Sequence, residues 1–164
     1  MSKTEKNLKE AFAGESQANR KYLAFAKKAD AEGHHQAAKL FRAAAAAETI
    51  HAHNHLNAMN GVASTAENLK AAIGGETYEF ESMYPPMVAD AEAEGHGAAL
   101  RSFKFANEVE KVHAELYQKA LDTLDNPKAV DYYVCSGCGH TVENEPPDVC
   151  PVCGAKAQAF NKID

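Results

Sequence analysis

The sequence predicts a mostly α protein, a four-helix bundle followed by a small metal-knuckle domain. Three observations predict it. Apolar residues recur at spacings of three, four and seven through most of the first 124 residues. The stretch that carries the first two helices is repeated 62 residues later. All four cysteines fall between 135 and 153, where the helical period has ended.

Each element follows in order. From Thr4 to Glu32 the residues Leu8, Phe12, Tyr22, Phe25 and Ala29 form the stripe of an amphipathic helix, and Gly33 ends it. A second helix runs from about His35 to Asn60 and stops at Gly61. Residues 61–75, "GVASTAENLKAAIGG", read as a connection with room for a short helix, because Ser64 and Glu67 have capping-box spacing. A third helix spans roughly Glu76 to Glu94, kinked or restarted at Pro85 and Pro86. A fourth spans about His96 to Leu124. The organisation expected is a helical domain over 1–126, a linker over 127–131 and a cysteine domain over 132–164.

With a shift of 62, 13 of 37 positions over residues 22–58 are identical, among them Tyr22 with Tyr84, Phe41 with Phe103, Glu48 with Glu110 and His51 with His113. Alanine richness cannot produce matches of Tyr, Gly, Phe and His. One helical hairpin is used twice, and with a 15-residue link between the copies the expectation is a ferritin-like four-helix bundle with a crossover. The register slips by one near Glu15, whose shifted position is Thr77 beside Glu76. An insertion of that kind suits a π-bulge.

Composition narrows the function classes. A formal charge of −6 argues against nucleic acid or an anionic membrane as partner. No apolar run approaches the ~18 residues of a membrane span, and "MSKTEKNLKE" lacks the apolar region of a signal peptide. A cytoplasmic protein is expected, and in a reducing compartment clustered cysteines point to a metal before disulfides.

Residues three apart on a helix share a face. Glu48 and His51 are so placed, as are Glu110 and His113, and both faces carry apolar neighbours. Glu15 lies within the first helix's apolar stripe, and Glu76 and Glu79 lie beside Phe80 and Met83. Five inward carboxylates without cations would cost several kcal/mol per ion to bury; two dications would nearly balance them. Mixed carboxylate and imidazole donors suit iron or manganese better than zinc. One Glu from each of two helices with Glu-x-x-His from the other two is the pattern of ferritin-like di-iron bundles. Tyr22 and Tyr84 stand where their phenols could reach a bound oxygen species. His34, His35, His53, His96 and His140 read as exposed or local hydrogen-bonders, and His55 as the one spare histidine near the site.

"YYVCSGCGHTVENEPPDVCPVCGA" carries Cys135-x-x-Cys138 and Cys150-x-x-Cys153 with 11 residues between the knuckles. Such a pair makes a tetrahedral four-thiolate site. Spacing alone leaves zinc and iron both open. At 33 residues the segment is too small to fold without its metal.

With "FAGESQANRKY", "AETIHAHNHL", "GETYEFESMYPPM", "EKVHAELY" and "YYVCSGCG…CPVCGA" in this order, the chain resembles the rubrerythrins over nearly its whole length. The resemblance implies a ferritin-like four-helix bundle with a small C-terminal rubredoxin-like domain. It implies Glu15 and Glu79 on one iron, Glu76 and His113 on the other, Glu48 and Glu110 bridging, and His51 exchanging with Glu79 as ligand. Cys135, Cys138, Cys150 and Cys153 would hold a third iron, with zinc possible in the isolated protein. Tyr22 and Tyr84 match the family's tyrosines beside the site. The activity implied is reduction of hydrogen peroxide to water in defence against oxidative stress. Electrons would come from a donor such as a rubredoxin or an NAD(P)H-dependent reductase. A homodimer is implied, with the relay of one chain facing the di-iron site of the other. A ferritin-like iron oxidase is the alternative.

Overall fold

A computed structural model describes residues 1–164. The chain divides into two compact units, Met1–Ala63 and Ser64–Asp164.

The first unit is a hairpin of α1 (Lys3–Ala31) and α2 (His35–Ala58). Ser2 starts α1 with a capping box: its hydroxyl accepts from the Glu5 N–H at 3.1 Å, and Glu5 Oε2 accepts from the Ser2 N–H at 2.6 Å. Gly33, at φ 82°, closes the helix in the left-handed conformation that glycine adopts without strain. The seam between the helices is built from Ala26 and Ala29 on α1 and from Ala38, Ala45 and Ala52 on α2, all buried. The last three recur every seven residues, the period of a helix that keeps one face toward its partner. Alanine at these positions lets the two backbones approach closely, so few aromatics are needed. One polar group is sealed into the seam. Asn19, 8% exposed, donates through Nδ2 to the Ala45 carbonyl at 2.7 Å and to Thr49 Oγ1 at 2.8 Å.

The second unit begins with α3 (Thr65–Tyr78), passes through a π-helical segment (Glu79–Met83) into α4 (Tyr84–Ala93), and returns along α5 (Gly97–Asp122). The third helix thus starts some ten residues earlier than its expected onset at Glu76, and the long connection shrinks to residues 59–64. The Ser64–Glu67 capping box does form and nucleates a full helix. Gly74 and Gly75 cost roughly 1 kcal/mol each inside a helix. Packing of α3 on α5 offsets that cost. Pro85 and Pro86 occupy the first turn of α4, directly after the π segment, and the helix runs on through them without a restart. The π segment lies where the repeat slips: Glu15 and Glu76 are 61 apart, whereas Tyr22 and Tyr84 are 62 apart. The Tyr84 N–H bonds the Glu79 carbonyl, a five-residue step that absorbs the extra residue without breaking the helix.

After α5 the chain forms a three-stranded antiparallel sheet in the order β2-β1-β3, from β1 (Tyr132–Cys135), β2 (Thr141–Glu143) and β3 (Phe160–Ile163). Cys135, Cys150 and Phe160 are its buried centre, with Tyr133, Val142 and Val152 packed around them. This small sheet belongs to the second unit and lies against α5 of its own chain, where Lys119 pairs with Glu143 and Gly139 backs onto Val109. No helix is long and apolar enough to cross a membrane.

Asn19→Ala removes two hydrogen bonds from the sealed seam. The expected loss is about 1–2 kcal/mol of stability, measured by urea unfolding of the metal-free protein followed by circular dichroism.

Candidate metal centres

In the first unit the ligand atoms of Glu15 on α1 and of Glu48 and His51 on α2 all lie within 4.8 Å of one another. Glu48 Oε2 meets His51 Nδ1 at 3.0 Å. The Glu15 carboxyl is raised above the usual carboxylate range, first by its hydrogen bond to Glu48, then by burial and by the Glu48 charge. Glu48 is held below that range by hydrogen bonds with Glu15 and His51. The two carboxyls are thus pushed apart, Glu15 toward its protonated form and Glu48 toward its ionised one.

The second unit repeats the arrangement. Ligand atoms of Glu76 on α3 and of Glu110 and His113 on α5 again lie within 4.8 Å of one another. His113 Nδ1 stands 2.8 Å from Glu110 Oε2 and 3.9 Å from Glu76 Oε2. Burial raises the Glu76 carboxyl, and the Glu110 charge and a hydrogen bond to Glu110 raise it further. The likeness extends to the aromatic neighbours. Tyr22 packs on Phe41 with ring centroids 6.2 Å apart at 35°, and Tyr84 on Phe103 at 6.3 Å and 39°.

Glu79 has no counterpart in the first hairpin, because it opens the π segment. Its carboxyl is raised by burial and by the Glu76 charge, while His113 opposes the shift. It stands in the field of the second cluster without closing on it. The ion-pair partners of Glu48, Glu76 and Glu110 are histidines. Half-buried carboxylates that meet imidazoles and one another, with no lysine or arginine, have the donor chemistry of a hard or borderline dication, and the residues present fit iron. Such a metal would displace the protons these groups now share.

The two halves differ at the far ring nitrogen. His113 Nε2 lies 3.0 Å from Thr141 Oγ1 on β2. Within the first unit His51 hydrogen-bonds only Glu48.

The third cluster is Cys135, Cys138, Cys150 and Cys153, with Sγ atoms within 4.8 Å of one another and all four thiols free. The knuckles are near copies. Gly139 N–H donates to the Cys135 carbonyl at 2.8 Å and Gly154 N–H to the Cys150 carbonyl at 2.9 Å, with both glycines at positive φ. That turn points backbone N–H groups at sulfur: His140 at Cys138, Ala155 at Cys153, and Val152 and Cys153 at Cys150. Burial drives the Cys138 thiol far up. Cys150 is held below the ordinary range although burial opposes it, because those N–H groups favour its thiolate. Four convergent thiols with N–H donors around them fit a tetrathiolate metal.

One histidine departs from expectation. His140 is buried, not exposed, and its Nδ1 has no partner. Burial lowers its pKa, and nearby His113 lowers it further. Its burial, like the Thr141 contact, comes from docking the sheet on α5, which leaves no trace in local sequence spacing.

Comparison with known proteins agrees with these centres. The rubrerythrin family model matches residues 6–121, and the model for the rubrerythrin rubredoxin-like domain matches residues 133–161. The chain belongs to the rubrerythrin family. Rubrerythrin-2 of Clostridium acetobutylicum is 34% identical over 93% of this chain and 92% of its own. Nigerythrin of Nitratidesulfovibrio vulgaris is 36% identical over 96% and 85%. The solved mixed-valent nigerythrin superposes with a TM-score of 0.60 at 35% identity, covering 99% of this chain and 88% of that one. The fold class is therefore the expected one, ferritin-like helices with a rubredoxin-like knuckle domain, and the donor sets are those of a carboxylate–histidine di-iron domain and a four-cysteine site. The family is one of oxidoreductases.

Two outcomes follow. In the metal-free protein Glu79 binds its proton more tightly folded than unfolded. Its contribution to stability is present below the ordinary carboxylate pKa and is lost as pH rises through the raised one. Glu79→Gln should therefore unfold at higher urea than the parent at about pH 7, with no such gain at about pH 4. Urea midpoints at the two pH values check this. Cys150→Ser should cost the tetrathiolate metal and the order of residues 132–164 while the helical circular dichroism persists.

Proposed function

We propose that this chain is a non-haem di-iron peroxidase that reduces hydrogen peroxide to water, with electrons relayed through a rubredoxin-like iron. The observation that carries the reading is the pairing of a duplicated carboxylate–histidine cluster with a four-thiol cluster in one chain. Carboxylate-bound iron supplies two-electron redox chemistry, and a tetrathiolate iron supplies one-electron relay. Glu15, Glu48, His51, Glu76, Glu79, Glu110 and His113 are proposed to hold two irons, with Glu48 and Glu110 bridging and His51 exchanging with Glu79. Cys135, Cys138, Cys150 and Cys153 are proposed to hold the third. The domain limits proposed are 1–126 and 132–164, joined by 127–131.

The chain's own groups are suited to moving protons. Reduction of peroxide takes two protons for the two electrons. Glu15 and Glu76, whose carboxyls are raised in the metal-free protein, would be ionised ligands once iron is held and are not the proton source. The Tyr84 phenol is raised by burial and by the charges of Glu110, Glu79 and Glu76, so it stays protonated and serves as a donor. His51 is held at one ring nitrogen, by Glu48, within its hairpin. Glu79, on the π segment, is the carboxylate proposed to exchange with it. A rubredoxin or NAD(P)H-dependent reductase is the proposed electron source, and a homodimer the proposed assembly.

The test begins with iron-loaded protein reduced without air and mixed with peroxide or with dioxygen. Peroxide should restore the visible thiolate-to-iron band promptly and dioxygen slowly. Prompt return with dioxygen alone would instead identify a ferritin-like iron oxidase.

A further inference from the structure

We propose that Gly74 and Gly75 act with the π segment as paired hinges around Glu76–Glu79, so that Glu79 takes up and leaves a metal without α3 unfolding. The inference rests on the exchange of Glu79 with His51 proposed above and adds the backbone device that permits it.

Glycine inside a helix is less stable than alanine, so it persists where a side chain would clash or where the chain must bend. The first reason is absent here. Gly74 and Gly75 are exposed in the body of α3, neither has a positive φ, and a Cβ on either would meet nothing within 4 Å. Alanine would fit at both positions and hold the helix more tightly. That leaves bending, and the neighbours favour it. Gly75 directly precedes Glu76, and four residues after Gly75 comes Glu79, the first residue of the π segment.

Both backbone groups of Glu79 depart from regular helical bonding. Its N–H is shared between the carbonyls of Gly75 and Glu76, a three-centre bond in place of a single one. Its carbonyl accepts from the Tyr84 N–H across the five-residue step. The residue that carries the extra carboxylate thus hangs from a glycine on one side and from the π turn on the other. Bends in helices gather at glycines and at π turns. Beyond Tyr84, Pro85 and Pro86 fix their own φ and stiffen the far side.

The repeat supplies an internal comparison. Gly14 precedes Glu15 as Gly75 precedes Glu76, 61 residues on. Gly14 is likewise exposed in mid-helix, with nothing within 4 Å of its Cβ position. One glycine before the glutamate is therefore common to both hairpins. The second glycine and the π turn occur only in the hairpin that carries Glu79. Softness is graded with the movement asked of each helix.

The test uses the full chain in four forms: parent, Gly14→Ala, Gly75→Ala and the double variant Gly74→Ala/Gly75→Ala. In metal-free protein, amide hydrogen exchange over residues 74–83 should slow about fivefold in Gly75→Ala and further in the double variant. Gly14→Ala should slow exchange in α1 alone. A double variant that unfolds at lower urea than the parent would show that the glycines make room for an approaching surface, and overturns the inference. In protein loaded with iron-57 and reduced without air, replacement of Glu79 by His51 leaves each carboxylate-bound iron with one imidazole. The two ferrous ions should then share one Mössbauer doublet. In samples frozen at intervals after rapid reduction, that doublet should grow about fivefold or more slowly in the double variant and at the parent rate in Gly14→Ala. Equal growth in the double variant and the parent overturns the inference and leaves the peroxidase reading standing. A parent that keeps two unlike ferrous ions overturns the exchange of Glu79, and the role given to the glycines falls with it.

Discussion

Carboxylates turned toward imidazoles on facing helices, with no lysine or arginine to meet them, are the constraint on which the rest depends. In each unit a glutamate from one helix converges on a Glu-x-x-His pair from the next. Left alone, Glu15 is raised by its hydrogen bond to Glu48 and Glu76 by burial and the Glu110 charge, a state that weakens as pH rises. A bound dication reverses the sign of the problem, because the charges that repel one another become its ligands. The alanine seam serves this end. Small side chains bring α1 and α2 close enough for Glu15 to reach Glu48, and Asn19 pins one helix to the other beside the cluster.

Duplication explains the symmetry of the two clusters, and one inserted residue explains where it breaks. The π turn at Glu79–Met83 adds a residue on the helix that carries Glu76 and creates a carboxylate position absent from the first hairpin. The second break lies at the histidines. His113 is held at both ring nitrogens, by Glu110 and Thr141, whereas His51 is held at one within its hairpin. The second unit therefore differs from the first in two ways, a histidine held at both ring nitrogens and an extra carboxylate on a π turn.

Much of this is legible in the sequence because it is local or repeated. Glu48 with His51 and Glu110 with His113 are helical neighbours, and the 62-residue repeat relates one pair to the other. The cysteine knuckles can be read for the same reason, since a turn of the CxxC type fixes its own geometry. The slip between Glu15 and Glu76 locates the π segment to within a few residues. What escapes is either a competition or a docking. Gly74 and Gly75 look like a break, yet capping by Ser64 and packing on α5 carry the helix through them. His140 looks like a surface histidine and is buried, and nothing local marks Thr141 as the partner of His113, because both depend on where the sheet rests on α5. No spacing rule encodes a contact between residues 28 apart on unlike elements.

The central claim is that seven carboxylate and imidazole side chains hold two irons while four thiolates hold another. Mössbauer spectroscopy of the oxidised protein, loaded with iron-57, tests it most directly. Two kinds of iron are expected: a magnetically coupled ferric pair with oxygen and nitrogen ligands, and an isolated tetrathiolate ferric ion at half its intensity. A spectrum of uncoupled oxygen-bound ferric ions, or one lacking the tetrathiolate component, would contradict it.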